Sequence, residues 1–140
     1  VDDVPDAATA ASCVDWIEDT AVRIARAGGV DEDEAHFFGV AVREALLNAL
    51  RHGRRQDGRC PLAVRLRSAF GRLLLVTVRD RGPGFDPEEI RDPCLPENLP
   101  RGNGRGVFYM RRFVDRLAFT FPRGGGVEVR LGKRLRHRGR

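Results

Sequence analysis

The chain has 140 residues, 41% of them hydrophobic and 32% charged. That is room for one domain with a real core and too apolar a composition for wholesale disorder. No apolar run approaches the roughly 18 residues of a membrane span, and no basic-then-apolar leader marks secretion. Lys and Arg outnumber Asp and Glu by 25 to 20, with Lys133 the single lysine. Residues 1–35 hold ten acids against two bases, Arg23 and Arg26, whereas Arg130 to Arg140 hold six bases and no acid. The terminal run has no aromatic interleaving or groove-reading motif, which argues for a solvated tail over nucleic-acid binding. Cys13, Cys60 and Cys94 are scattered and lack zinc-ligand spacing, so they fit a reducing cytoplasm better than a disulfide scaffold.

Residues 1–6 are polar and short, a linker or disordered lead-in. Ala7 to Ala27 predicts a helix, because Val14, Ile17, Ala21, Ile24 and Ala25 recur at three- and four-residue steps. Gly28-Gly29 ends it. Asp31 with Glu34 three residues on is a capping-box pattern for a second helix, running to about Leu50 and breaking at Gly53. The period then changes to two. Leu62, Val64 and Leu66 alternate with Ala63, Arg65 and Arg67, a half-buried strand. Gly71-Arg72 reads as a hairpin turn and Leu73 to Val78 as a more central strand. Asp86 to Ile90 reads as a capped turn of helix, and Asp92 to Asn103, with Pro93, Pro96 and Pro100, as a loop. A third helix is expected over Gly106 to Arg116. Strands are expected over Leu117 to Phe121 and Val127 to Leu131, across a three-glycine turn. This order predicts an α+β two-layer sandwich: a mixed, mostly antiparallel sheet covered on one face by three helices. The domain is expected over residues 7–132, with 133–140 as a basic tail.

Three polar clusters stand out. Four-residue spacing stacks Glu44, Asn48 and His52 along one face of the second helix, among apolar Val40, Ala41, Ala45, Leu46 and Ala49. A polar stripe there needs partners, because an unpaired buried polar group costs about 1–3 kcal/mol; taken alone, a satisfied side-chain network or a solvent-facing stripe is the simpler reading. Asp80 closes an apolar strand and is followed by Gly82, Gly84 and Phe85. Glycine lets backbone approach a ligand closely, and a carboxylate can accept from an exocyclic amine; a plain Asp-Gly turn accounts for the pattern equally. Gly102, Gly104 and Gly106, with Asn103 and Arg105 between them, open the third helix. Free N–H groups at a helix start and a cation beside them suit a phosphate, although glycine-rich loops are common. The spacing is that of neither a Walker loop nor a dinucleotide fingerprint. Together and in this order, the clusters supply a metal ligand, an adenine anchor and a triphosphate cradle.

These residues resemble the GHKL ATPases, the superfamily of gyrase, MutL and histidine-kinase ATP-binding domains. More narrowly, EALLNALRHG, DRGPGF and GRGVFYMRRFVD resemble the bacterial anti-sigma-factor serine/threonine kinases of the RsbW and SpoIIAB type. The resemblance implies that Asn48 coordinates Mg²⁺ bridging the phosphates of ATP. It implies Glu44 as general base and Asp80 on the adenine amino group, with Gly82, Gly84 and Phe85 shaping that pocket and His52 beside it. Gly102, Gly104, Arg105 and Gly106 would wrap the phosphates, and the 92–103 loop would be a short lid. Family members hold a sigma factor in one state, phosphorylate a serine or threonine on a small STAS-domain anti-anti-sigma protein in the other, and commonly dimerise in the cytoplasm. An ATP-binding partner switch without kinase activity, and the ATP-binding domain of a larger sensor kinase, are the alternatives. The latter lacks support from any two-helix hairpin carrying a phosphoacceptor histidine. Two features depart from the family pattern: no convincing strand precedes the first helix, and the tail is rich in arginine.

Overall fold

The computed structural model describes residues 7–52, 62–80 and 104–136. The elements in order are α1 (Ala7–Ala27), α2 (Glu32–His52), β1 (Leu62–Ala69), β2 (Leu73–Asp80), α3 (Gly104–Phe113), β3 (Arg116–Thr120) and β4 (Glu128–Arg134). The expected turn of helix at 86–90, the 92–103 loop, the break at Gly53, Cys60 and Cys94 lie outside the described residues.

Helix α1 buries Val14, Ala21 and Ala25, the stripe its periodicity predicts, and leaves Cys13 exposed. Its end is a glycine turn in which Gly29 N–H donates to the Arg26 carbonyl (3.0 Å) and Val30 N–H to the Ala25 carbonyl (3.0 Å). Gly29 makes this possible with φ +85°, a conformation that costs glycine little. Asp31 caps α2: its Oδ1 accepts from the Glu34 backbone N–H at 3.1 Å. That bond holds the Asp31 carboxyl below the ordinary 3.8, chiefly through the Glu34 backbone contact. The two helices lie close, since a Cβ on Gly39 would stand 2.5 Å from Val22 Cγ2. Arg43 bridges them, donating to Asp15 (2.6 Å) and Glu18 (2.9 Å). These two carboxylates raise the Arg43 guanidinium further above its ordinary value.

The four-stranded sheet has the order β1-β2-β4-β3. It is two hairpins joined along β2 and β4, and each of its three pairings is antiparallel; no parallel pair occurs among the described residues of the sheet. Alternation sets the faces. Leu74, Val76, Val78 and Asp80 on β2, with Val129 and Leu131 on β4, are buried beneath the helices. Register lines them up in rows, with Val76 between Leu66 and Leu131, and Val78 between Val64 and Val129. Phe38, Val42, Leu46 and Met110 fill the helix side of the same core.

Four boundaries differ from the sequence reading. Helix α3 spans 104–113 rather than 106–116, because Asp115 is taken by the sheet: its N–H donates to the Gly132 carbonyl (2.9 Å), and its Oδ2 accepts from Arg134 N–H (2.7 Å). Strand β3 accordingly begins at Arg116, one residue earlier than expected. Strand β4 runs on to Arg134, so Lys133 and Arg134 are strand rather than tail. Lys133 is buried there, which its ion pairs with Glu34 (3.3 Å) and Asp115 (3.5 Å) make tolerable. The first hairpin turns over Phe70-Gly71-Arg72, one residue longer than the expected Gly71-Arg72, closed by Arg72 N–H donating to the Ala69 carbonyl at 3.0 Å.

Candidate functional site

The three sequence clusters map onto three elements. Glu44 and Asn48 are half-buried in the second half of α2, flanked by fully buried Ala41, Ala45, Leu46 and Ala49. His52 is the last residue of that helix. Asp80 is the last residue of β2. Gly104, Arg105 and Gly106 form the first turn of α3. Gly82, Gly84, Phe85 and Gly102 lie outside the described residues.

Two ion-paired landmarks fix which end of the molecule these residues occupy. Lys133 stands opposite Leu74 in the β2–β4 register and reaches Glu34 near the start of α2. From Leu74 to Asp80 the strand advances about 20 Å at roughly 3.3 Å per residue. Along α2 the same distance from Glu34, at about 1.5 Å per residue, arrives near Asn48. Helix α3 packs along α2, with the Phe113 ring stacked on Phe37 at 4.6 Å. Its last turn is therefore at the Glu34 end, and its opening glycines lie about 15 Å back toward the middle of α2. Asp80 thus closes β2 at the end remote from Lys133, while Asn48 lies in the second half of α2, which packs on β2 and on α3.

Asp80 is the most constrained of these side chains. It is 6% exposed. Its backbone N–H donates to the Val127 carbonyl at 3.0 Å, and its Oδ1 accepts from the Val127 N–H at 3.3 Å. One carboxylate oxygen is thereby aimed by the turn before β4. Gly126 lies against it with φ +84°; a Cβ there would collide with the Asp80 carbonyl and stand 3.0 Å from Oδ1. The sequence reading assigned the three glycines to a turn and did not connect them with Asp80. The signal was there in part: a residue that must keep φ > 0 and also admit a neighbour's backbone has to be glycine. Nothing local in the sequence names the neighbour, because the pairing spans 47 positions.

No group of three or more His, Cys, Asp or Glu able to hold a metal occurs among the described residues. Mg²⁺ keeps several waters and takes one or two protein oxygens, and the Asn48 carboxamide fits that role. No helix among the described residues is long and apolar enough to cross a membrane.

A second polar group lies at the other end. Lys133, Glu34 and Asp115 are joined there by Arg136, whose guanidinium meets Glu34 at 2.9 Å. They line a cleft of about 560 Å³ with Phe37, Phe113 and Arg112. The sequence reading treated Lys133 as tail, and the cluster was not anticipated. Its members are 102 positions apart at the extreme, and only the sheet register brings them together.

Comparison with known families matches residues 7–133 to the family described as Histidine kinase-like ATPase domain. Among solved structures, the Erythrobacter litoralis EL346 blue-light activated histidine kinase is similar at TM-score 0.58 and 29% identity, over 75% of this chain and 31% of that one. The histidine kinase domain from the same protein is similar at TM-score 0.56 and 31% identity, over 76% of this chain and 46% of that one. The mycobacterial sensor histidine kinase MprB shares the fold, at TM-score 0.57 and 21% identity over 76% of this chain and 73% of that one. The chain thus spans less than half of either Erythrobacter structure. A search of curated proteins gives no match. With a family match over nearly its whole length and an α+β architecture that its solved neighbours share, the chain belongs to the histidine kinase-like ATPase domain family and is an ATP-binding domain of that kind.

Proposed function

We propose that this domain binds Mg-ATP at the Asp80 end and transfers the γ-phosphate to a serine or threonine of a small STAS-type anti-anti-sigma protein, while sequestering a sigma factor in its other state. The observation that carries the nucleotide part is the family match over residues 7–133, and Asp80, buried at the end of β2 with its Oδ1 held by Val127 N–H, supports it. The partner part rests on the resemblance of the EALLNALRHG, DRGPGF and GRGVFYMRRFVD segments to anti-sigma kinases.

The chemistry required of the chain is modest, because phosphoryl transfer is mostly positioning and charge stabilisation. Asp80, its Oδ1 fixed by Val127 N–H, accepts from the adenine amino group and sets the base. The first turn of α3, with its free N–H groups and Arg105, receives the phosphates. Asn48 would hold a magnesium ion, which would supply charge neutralisation at the phosphates. Glu44, one turn before Asn48 on the same helix face, takes the proton of the attacking hydroxyl.

A second reading is favoured by the lengths of the Erythrobacter structures: the domain is the ATP-binding part of a larger sensor kinase. The two separate chemically. Incubation with Mg-ATP and STAS proteins of the same genome, followed by mass spectrometry, should find phosphate on serine or threonine. Phosphoserine survives acid and phosphohistidine does not, so acid-labile label on a histidine-bearing partner supports the second reading. In the first reading, Glu44→Gln keeps nucleotide affinity and slows transfer by about 10²–10⁴-fold. Asn48→Ala instead weakens Mg-ATP binding itself, read by calorimetry with and without magnesium.

A further inference from the structure

The sheet has a second face, turned away from the helices. Register and alternation place six arginines on it, Arg65, Arg67, Arg79, Arg116, Arg130 and Arg134, against one carboxylate, Glu128. Glu128 is already engaged by Arg130 (3.0 Å) and by the Thr120 hydroxyl (3.0 Å). Five of the arginines are exposed; Arg79 is half-buried. Toward the hairpin end of β2 the surface between them is apolar. Leu73 and Leu75 are half-buried there, and Leu73 and Arg116 close over Gly132. An apolar centre within a charged rim is the anatomy of a protein interface.

The hairpin that ends the Arg65–Arg67 strand carries an oddity at its tip. The hairpin turn places Phe70 at φ +55° and Gly71 at φ +65°, a pair of positive-φ positions that favours Asn-Gly. A phenylalanine there is conformationally costly, and this ring is 96% exposed. It gives the fold nothing in return. Strain of that kind, kept at an exposed aromatic tip, points to a role outside the chain.

We propose that the arginine face of the sheet, with Phe70 as its apolar anchor, docks an acidic, partly apolar segment of a partner protein. Charge complementarity selects the occupant. A second copy presenting the same face would set arginine against arginine. A nucleic acid would want several rings for its bases to stack on, and this surface offers Phe70 alone, the strand positions carrying none. Carboxylates suit the guanidinium fork, and an aliphatic side chain suits the Leu73–Leu75 strip. The inference does not rest on the nucleotide reading, since the Asp80 carboxylate lies on the opposite face.

The test uses the full chain and fluorescence anisotropy with a labelled peptide of Glu-Glu-Leu repeats. A Glu-Glu-Ser peptide and a single-stranded oligodeoxynucleotide of equal charge are the comparators. The Leu peptide should bind, and the Ser peptide should bind about tenfold more weakly, as loss of the apolar contact requires. The Arg65→Ser/Arg67→Ser double variant and Phe70→Asn should each lose about tenfold or more in affinity. Asn tolerates φ > 0, so Phe70→Asn should hold or raise the melting temperature while binding falls; Mg-ATP affinity should be unchanged in all variants. No binding of the Leu peptide, equal binding by the variants, or tighter binding of the oligonucleotide overturns the proposal. So does self-association in sedimentation velocity that the variants abolish, because the occupant would then be a second copy.

Discussion

At Gly126 a backbone requirement and a site requirement coincide. The residue needs φ > 0, and it leaves no room for a Cβ against the Asp80 carbonyl. Gly126→Ala should therefore do two things at once. Stability should fall by more than about 1 kcal/mol, as substitution at an incompatible φ does. On the proposed role of Asp80, nucleotide affinity should fall with it, because the carboxylate would be displaced from the adenine amino group; equilibrium denaturation and calorimetry on one sample check both. Unchanged affinity in a folded variant would show that Asp80 does not hold the base. Asp80 itself was legible in the sequence, because an acid at the end of an apolar strand followed by glycines is a local pattern. Gly126 was legible only as a turn, since its second constraint comes from a residue 46 positions away. Lys133 was misread for a similar reason. Within an arginine-rich run it looks like tail, and only its pairing with Leu74, Glu34 and Asp115 makes it a buried strand residue.

Helix α2 is held at three levels: a cap, a close crossing and a bridge. The cap makes a pH prediction. Asp31 has a lowered pKa in the folded chain, mainly from the Glu34 N–H bond. A depressed carboxylate stabilises the fold above its unfolded value and loses that contribution as pH falls through the folded one. Asp31→Ala should therefore lower the thermal midpoint near neutral pH, and the gap to the parent should narrow below pH 3.8. The crossing predicts against propensity. Alanine is the better helix former by about 1 kcal/mol, yet Gly39→Ala would press a methyl to 2.5 Å from the stiff Val22 side chain. Overpacking costs about 1–3 kcal/mol, so the thermal midpoint should drop; a rise would mean that α1 shifts freely. Periodicity revealed α1, α2 and the first hairpin because each buries one face along its own length. It misjudged the end of α3 and the length of β4 because both are set by Asp115, whose partners Gly132 and Arg134 are remote in sequence.

Over the whole molecule, one buried layer separates two faces of different character. The helix side ends in Asp80 at one extremity and in Lys133 at the other, and the far side of the sheet is arginine-rich. In the proposed reading, nucleotide bound at the Asp80 end would stabilise the folded state by mass action. At a hundredfold excess over Kd that amounts to about 2.7 kcal/mol, several degrees in the thermal midpoint for a chain of this size. Differential scanning calorimetry with Mg-ATP checks it, and Asn48→Ala should blunt the shift. The fold class was readable from the order of periods alone, two helical stretches, then alternation, then a helix and a further hairpin. The arginine face was present as alternating Arg65 and Arg67, but its extent depends on which strands are neighbours.

The order β1-β2-β4-β3 also has a temporal consequence. Strand β2 finds its second neighbour only in β4, with Leu73 paired to Arg134. While the chain is being made, both long helices and the first hairpin emerge with Val76 and Val78 still lacking Leu131 and Val129 beside them. The core stays open on one flank until the ribosome has passed Arg134, so a transcript cut shortly before that point would release a sticky, protease-sensitive fragment rather than a smaller working protein.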